Sequence, residues 1–291
     1  MNPATGILLA LACAFATNLA FLYKHRGACL APDVELRHPL RSAAGLFRSG
    51  WFALGMGVAL VAWALHVAAL AVAPMSTVQA VLAGGVVLLA VMAERLFGFS
   101  VLRRQWVGLG LVAAGLALLA LSLPRPHGSG SSFSLAAMIG FEAGLVALGG
   151  LLVLGRRMGA PAERHGVMLG AAAGLLFGVS DVAIKAITGL VHTAGVAGLL
   201  SPWTLVAVAA SVAAFYASAR ALQEAAAVPV IAITGTAANV AGIVGGIIVF
   251  GDPLSGDPLG VVAQSLAFVL VVVAAAFTPA PVRAAAQPQA A

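Results

Sequence analysis

Three charged side chains, Glu142, Asp181 and Lys185, fall inside apolar stretches of the sequence and could bind an ion or exchange a proton. A charge at the bilayer centre costs about 2.5–3.5 kcal/mol on insertion scales, so each one is treated as a functional candidate until a partner explains it. Two carboxylates could serve a hydrated Mg²⁺, which proteins usually hold with one or two carboxylates and several waters. The nearby lysine opposes a cation and favours an anionic or zwitterionic organic substrate. In the structural alternative, Lys185 extends to the interface and neutralises Asp181, four residues before it.

Uncharged polar residues in apolar stretches are further candidates. Asn18 and Asn239 fall near the predicted membrane midplane, where transporter sites tend to lie, although amides there also join helices. His66 reaches the level of the carboxylates, but a lone histidine on an apolar helix is more often a packing residue. Gln79 stands at a predicted helix start, where it could act as a cap. The predicted substrate-binding or gating residues are thus Glu142, Asp181, Lys185, Asn18, Asn239 and His66, with Glu142 and Asp181 as metal ligands if the substrate is Mg²⁺.

The composition decides what kind of elements position these residues. The chain has 291 residues, of which 62% are hydrophobic and 8% charged, and its mean hydropathy is +1.08. Such a chain has too little polar surface for a soluble globule, so we predict an all-α integral membrane protein whose main partner is the lipid bilayer. Its pI near 10.4 comes mostly from cations in short loops, which indicates positive-inside bias rather than nucleic-acid binding.

Apolar windows long enough to span about 30 Å of hydrocarbon predict nine transmembrane helices. We number them spans 1 to 9, at residues 4–23, 49–73, 76–97, 104–123, 134–156, 166–190, 200–222, 227–250 and 257–279. Span 1 is not expected to be a signal peptide, because its positive cluster follows the apolar run. The segment 24–48 is predicted to be the longest polar loop.

The loop cations set the predicted orientation. With the N-terminus outside, thirteen cations fall in inner segments and only Arg125 falls outside, which predicts an N-out, C-in topology. The inner cations are Lys24, Arg26, Arg37, Arg41, Arg48, Arg95, Arg103, Arg104, Arg156, Arg157, Arg164, Arg220 and Arg283. Arginine outnumbers lysine 13 to 2, and this composition favours a bacterial cytoplasmic membrane.

Weak similarity at offsets of about 150 to 160 residues relates spans 1–4 to spans 6–9. Because an odd number of spans separates their starts, the halves would be inverted repeats, from which alternating-access transporters are commonly built. We predict a first repeat at 1–123, an outer linker with span 5 at 124–157, a second repeat at 158–279 and a disordered cytoplasmic tail at 280–291. At 1.5 Å per residue, Asp181 and Lys185 would lie roughly 22 and 28 Å from the inner boundary, and Glu142 roughly 12 Å below the outer one. These depths predict one cluster.

Glycines mark close helix packing in both halves. Gly166, Gly170, Gly174 and Gly178 recur every four residues and form one stripe on span 6, which we expect to pack against helices of the same chain. Glycines in the middle of spans 3 and 8, at positions 84, 85, 242, 245 and 246, indicate either close packing or a break that exposes carbonyl groups.

The stretch from Ala69 to Ser122 reads ALAVAPMSTVQAVLAGGVVLLAVMAERLFGFSVLRRQWVGLGLVAAGLALLALS, with a polar turn, a small-residue helix, Glu-Arg-Leu at 94–96 and a glycine-rich helix. It resembles the drug/metabolite transporter superfamily, in the branch with EamA-type and NIPA-like proteins. In the second half, Asp252-Pro253-Leu254 stands where that family usually has Glu-Arg-Leu. The resemblance implies a carrier of small solutes, and its NIPA-like branch is associated with magnesium. Most of the superfamily has ten helices, so nine favour the NIPA-like arrangement.

The leading prediction is a transporter that moves a polar metabolite or drug by alternating access. A Mg²⁺ transporter is the alternative within the same class, and a membrane scaffold or assembly protein without transport is the alternative from another class. Catalytic and metal-site motifs are missing from the sequence, so we predict neither an enzyme nor a bound cofactor. A homodimer is left open.

Overall fold

The computed structural model describes residues 3–35, 38–73, 75–98, 103–122, 132–252 and 257–277. In these ranges the regular structure is helical, without a strand. The helices are α1 (Pro3–Cys29), α2 (Pro39–Phe47), α3 (Gly50–Val72), α4 (Met75–Gly84), α5 (Val86–Phe97), α6 (Arg103–Ser122), α7 (Leu135–Leu154), α8 (Ala162–Ala194), α9 (Pro202–Glu224), α10 (Ala227–Ile248) and α11 (Pro258–Phe277). Short 3₁₀ helices, Gly155–Met158 and Gly195–Leu200, follow α7 and α8. The predicted tail at 280–291 lies outside the described residues.

Six stretches of the described chain are long and apolar enough to cross a membrane. They are Thr5–Cys29, Gly50–Val72, Leu135–Met158, Ala162–Leu200, Pro202–Glu224 and Ala227–Ile248. The protein is therefore an all-helical, multi-pass membrane protein, as predicted. Every predicted span overlaps a helix, but the count of nine spans and their orientation stay predictions.

The segment predicted as the longest loop is partly helical. Helix α1 continues to Cys29, so Lys24 and His25 are buried residues of this helix rather than loop residues. Nδ1 of His25 lies 3.2 Å from the backbone oxygen of Leu222 on α9. Because α1 is packed between α3 and α9 along its last turns, its polar residues are covered by protein. The same segment also contains α2.

Span 3 is divided at Gly85 into α4 and α5. A side chain at Gly85 would place its Cβ 2.6 Å from the Cβ of Ala14 on α1, so glycine is needed for the close approach of the two helices. The carbonyl of Gly85 accepts a hydrogen bond from Nδ2 of Asn18 at 2.9 Å. The glycines of span 3 thus provide close packing and a break in the helix at the same place.

The helices pack in an order that is similar in the two halves of the chain. α1 packs most extensively on α3, and α8 packs in the same way on α9 and α10. Contacts between the halves join α4 to α10, α6 to α11, α1 to α9 and α3 to α8. The core therefore lies between α1, α3, α4, α8, α9 and α10.

The glycine stripe of α8 faces α10 and Ala225, which stands two residues before α10. A Cβ at Gly166 would lie 2.7 Å from the Cβ of Ala225, and one at Gly170 would lie 3.0 Å from Cγ2 of Ile233. At Gly174 a Cβ would collide with the backbone oxygen of Thr234. The prediction that this stripe packs within its own chain is confirmed, and the two backbones approach each other as small residues permit in membrane helices.

We expect Gly174→Ala to lower the stability of the folded protein by about 1–3 kcal/mol, because the added methyl group must displace the backbone of α10. The matched control is Gly144→Ala on α7, where a Cβ has no neighbour within 4 Å. Thermal unfolding of both variants in the same detergent checks the prediction. Equal melting temperatures for the two variants would contradict it.

Candidate functional site

A cavity of about 330 Å³ lies between six helices, namely α1, α3, α4, α8, α9 and α10. Its apolar walls include five aromatic side chains, Phe21, Phe52, Trp63, Phe177 and Phe215. Its polar lining residues are Cys13, Thr17, Asn18, Lys24, His66, Gln79, Asp181, Ser211, Ser218, Thr234 and Asn239. A mostly apolar cavity with a few convergent polar groups is the usual form of a small-molecule site.

Asp181 on α8 is the centre of a polar cluster in this cavity. Its Oδ1 lies 3.1 Å from Nε2 of His66 on α3, and its Oδ2 accepts a hydrogen bond of 3.1 Å from Nε2 of Gln79 on α4. The histidine contact does not have hydrogen-bond geometry. Gln79 is fully buried, and Gly242 on α10 leaves the room for its side chain. Both carboxylate oxygens are therefore contacted from the first half of the chain.

The structural alternative required Lys185 to pair with Asp181, and it does not. Its Nζ instead donates to the backbone oxygens of Leu70 at 3.1 Å and Ala73 at 3.4 Å, at the end of α3. The C-terminal end of a helix carries partial negative charge and unpaired carbonyl groups, which a cation satisfies. With 1% of its surface exposed, Lys185 does not extend to the interface either, but joins α8 to α3.

Glu142 forms no ion pair with either residue. It is buried on α7 and does not line the cavity, and no group in the described chain forms a hydrogen bond with its Oε1. Of the three charged residues predicted to line one cavity, Glu142, Asp181 and Lys185, only Asp181 lines this one. Depth along the membrane can be counted from the sequence, whereas the direction in which each side chain points from its helix depends on packing.

The predicted midplane residues do line the cavity. Nδ2 of Asn18 donates to the backbone oxygens of Ala14 and Gly85, both at 2.9 Å, and this joins α1 to the break between α4 and α5. The hydroxyl of Thr234 donates to the backbone oxygen of Gly170 at 2.9 Å and joins α10 to α8. Asn239 is buried and lines the cavity near them. Asn18 thus both joins helices and forms part of the cavity wall.

Two residues of the site were assigned other roles from the sequence. Lys24 was counted as a loop cation, yet it is 8% exposed and lines the cavity. Gln79 was considered as a helix cap, yet it contacts Asp181. If the helix is continued past residue 23, Lys24 falls on the face of Phe21 and Thr17, at spacings of three and seven residues.

The described part of the chain contains no group of three or more His, Cys, Asp or Glu side chains that could hold a metal ion. Of the nine Asp and Glu residues, all of which lie in the described ranges, Asp181 alone lines the cavity. The cavity can therefore form hydrogen bonds and ionic contacts with a solute. To a metal ion it offers one carboxylate, that of Asp181, which His66 and Gln79 already contact.

No protein-family model matches the chain, and comparisons with curated proteins and with solved structures also found no match.

We expect Asn18→Leu to loosen the junction of α4 and α5, because the carbonyl of Gly85 then loses its donor from α1. The carbonyl keeps the backbone N–H of Leu88 as a donor at 3.0 Å, so the cost is that of one lost hydrogen bond, about 0.5–1.5 kcal/mol. Hydrogen–deuterium exchange should become faster in α4 and α5 and stay unchanged in α9. Thr17→Val is the control, since the hydroxyl of Thr17 bonds to Cys13 on its own helix rather than to α4 or α5. Unchanged exchange around Gly85 in the Asn18 variant would contradict this role.

Proposed function

We propose that this membrane protein is a carrier that moves a small polar solute by alternating access. The observation that supports this most directly is the cavity, which is lined by polar groups from both halves of the chain. A scaffold has no need of a polar cavity inside the membrane, where each polar group costs free energy unless it is paired.

The contacts between the halves give further support. If α1, α3, α4 and α6 correspond in order to α8, α9, α10 and α11, then α4 contacts its counterpart α10 and α6 contacts its counterpart α11. Under the same correspondence, the contact of α1 with α9 is equivalent to the contact of α8 with α3, and both are present. This is the pattern that two repeats around a central site produce, and inverted repeats with nine spans are part of the proposal.

Polar contacts join the halves at both ends of the cavity. At one end, Asp181 and Lys185 of the second half contact His66, Gln79 and the end of α3. At the other end, Gln223 on α9 accepts from the backbone N–H of Val34 at 2.9 Å and donates to the backbone oxygen of Pro32 at 3.0 Å. Alternating access requires contacts of this kind between the halves, which can form at one end of the site while they break at the other.

The resemblance of the Ala69–Ser122 stretch to the drug/metabolite transporter superfamily agrees with this function, and membership of the superfamily is part of the proposal. Magnesium is the weaker alternative. Asp181 is the only carboxylate of the cavity and is contacted by His66 and Gln79, while Lys24 adds a positive charge to the same cavity. We therefore propose an organic solute.

A leucine in place of Gly235 should block transport. Gly235 on α10 lines the cavity, and a Cβ there has no neighbour within 4 Å, so a larger side chain can extend from this position into the cavity. The measurement is uptake into proteoliposomes of separate labelled probes: amino acids, carboxylates, nucleosides, ethidium and Mg²⁺. We expect Gly235→Leu to lose most of the uptake of any probe that the unaltered protein carries.

Gly144→Leu on α7 is the matched control for the blocking variant, because its added side chain also meets no neighbour. It should transport at the normal rate. If the unaltered protein carries none of the probes, the scaffold function gains support. If the Gly235 variant carries them normally, the cavity is not the path.

Asp181→Asn should reduce uptake by roughly tenfold or more, because hydrogen bonds to a charged group contribute about 1.5–3 kcal/mol and the site loses its only carboxylate. Glu163→Gln, in the exposed first turn of the same helix, is the control and should leave uptake unchanged. Normal uptake of every accepted probe by the Asp181 variant would contradict a role for this side chain in transport.

A further inference from the structure

Lys24 is a buried cation that has no anionic partner in the protein. It is 8% exposed and lines the cavity, and none of the nine Asp and Glu side chains lies within 4 Å of its Nζ. All nine carboxylates lie in the described ranges, so the missing partner is not another Asp or Glu of this chain. A buried charge without a partner is costly, and proteins usually pair or neutralise it.

Two other cations on these helices differ from Lys24. Lys185, at the far end of the cavity, is bonded to two carbonyl groups of α3. Arg26, two residues after Lys24, lies 4.1 Å above the ring of Trp51 but is exposed, so it does not need a partner within the protein. Lys24 makes no hydrogen bond with the described residues and has only the ring of Phe21, 3.9 Å from its Nζ. A cation over an aromatic ring gains less than the burial of its charge costs.

The walls around Lys24 strengthen any charge that approaches it. Phe21, Phe52, Phe215 and Leu222 line this end of the cavity, and the rings of Phe52 and Phe215 lie 6.0 Å apart, edge to face. With few dipoles in these walls, the effective dielectric constant is lower than in water and an opposite charge is attracted more strongly. Aromatic walls also favour an organic body over a small hydrated anion.

The cavity has a different character at its two ends. Cys13 and Lys24 both line it from α1, and their eleven-residue separation corresponds to roughly 16 Å along the helix. His66 lies beside Cys13, so the cluster of Asp181, His66 and Gln79 is at the end far from Lys24. A solute can therefore place a negative group at Lys24 while the carboxylate of Asp181 remains far from it.

We propose that the solute is a small amphipathic organic anion, whose acidic group pairs with Lys24 and whose body lies between the aromatic walls. This inference rests on the proposed function, because it names the class of substrate for the same cavity. The polar side chains of Asn18, Asn239 and Ser218 line the remaining surface and can bind uncharged polar groups of the solute.

Three probes of nearly equal shape test the charge: 3-phenylpropionate, 3-phenylpropionamide and 3-phenylpropylammonium. The purified full-length protein in neutral detergent is titrated with each probe, and its melting temperature is recorded. We expect only the anion to raise the melting temperature. Equal shifts with the amide, or a larger shift with the ammonium, would overturn the proposal without the need for any variant.

Lys24→Met removes the charge and keeps the length of the side chain. Its apparent affinity for 3-phenylpropionate should fall by roughly tenfold or more, since a hydrogen bond to a charged group is lost. The folded protein without probe should be at least as stable as before, because an unpaired buried charge is gone. Arg26→Met, two residues further along α1, is the matched control and should bind the anion as the unaltered protein does. Equal loss in both variants would overturn the assignment to Lys24.

An anionic lipid headgroup could supply the same negative group. The titration is therefore repeated with phosphatidylglycerol and with phosphatidylcholine added to the micelles. Stabilisation by phosphatidylglycerol together with no effect of 3-phenylpropionate would overturn the proposal in favour of a lipid site. If 3-phenylpropionate stabilises the protein to the same extent with and without phosphatidylcholine, the proposal is supported.

Uptake of labelled 3-phenylpropionate into proteoliposomes separates this inference from the proposed function. Binding of the anion without uptake of any probe would contradict the carrier and leave the anion site in place. Uptake of uncharged or cationic probes, with no binding or uptake of the anion, would support the carrier and overturn the anion site.

Discussion

The close contact of α8 with α10 is the interaction on which the rest of the structure depends. Four glycines remove the side chains from one face of α8, so that at Gly174 its backbone meets the backbone of α10 directly. In lipid the burial of apolar surface gives helices no advantage over acyl chains, and close van der Waals contact has to replace it. The hydrogen bond from Thr234 to Gly170 O lies in this contact and fixes the position of one helix along the other. Once α10 is fixed, Gly242 leaves the space in which Gln79 reaches Asp181.

The polar groups of the interior follow from the same lack of water. Lys185 satisfies the carbonyl groups at the end of α3, Asn18 satisfies Gly85 O, and Asp181 is held by Gln79 and His66. Each contact joins helices that are distant in the sequence, so each one stabilises the fold and shapes the cavity at the same time. Lys24 differs from these residues because its charge meets only an aromatic ring, and for this reason it indicates a ligand rather than a structural contact.

The sequence was sufficient for properties that depend on composition and on position along a helix. Hydropathy predicted the helical membrane class, and the four-residue repeat from Gly166 to Gly178 predicted packing within the chain. It was not sufficient for the direction in which a side chain points. Asp181 and Lys185 are four residues apart, yet one lines the cavity and the other is bonded to α3, because Asp181 lies level with His66 inside α3 whereas Lys185 reaches the carbonyl groups at the end of that helix. Lys24 was missed for a different reason: a cation after an apolar run is typical of a loop, and only the contacts of α1 with α3 and α9 show that the helix continues.

The two ends of the cavity differ in what it costs to open them. At the Gln223 end, the bonded groups are half-buried or exposed, and each hydrogen bond that breaks can be exchanged for one with water at a net cost of about 0.5–1.5 kcal/mol. At the other end, Lys185 and Gln79 are almost completely buried, so separating the halves there would leave a charge and an amide without partners until water enters. A buried group without a partner costs more than an exchanged bond. In the described conformation the Gln223 end is therefore the one that opens more easily. Lys24 lies at the same end, because His25, the residue after Lys24, contacts Leu222, the residue before Gln223. In the predicted topology this end faces the cytoplasm, so the acidic group of a solute would enter or leave the cavity on the side where the loop cations are concentrated.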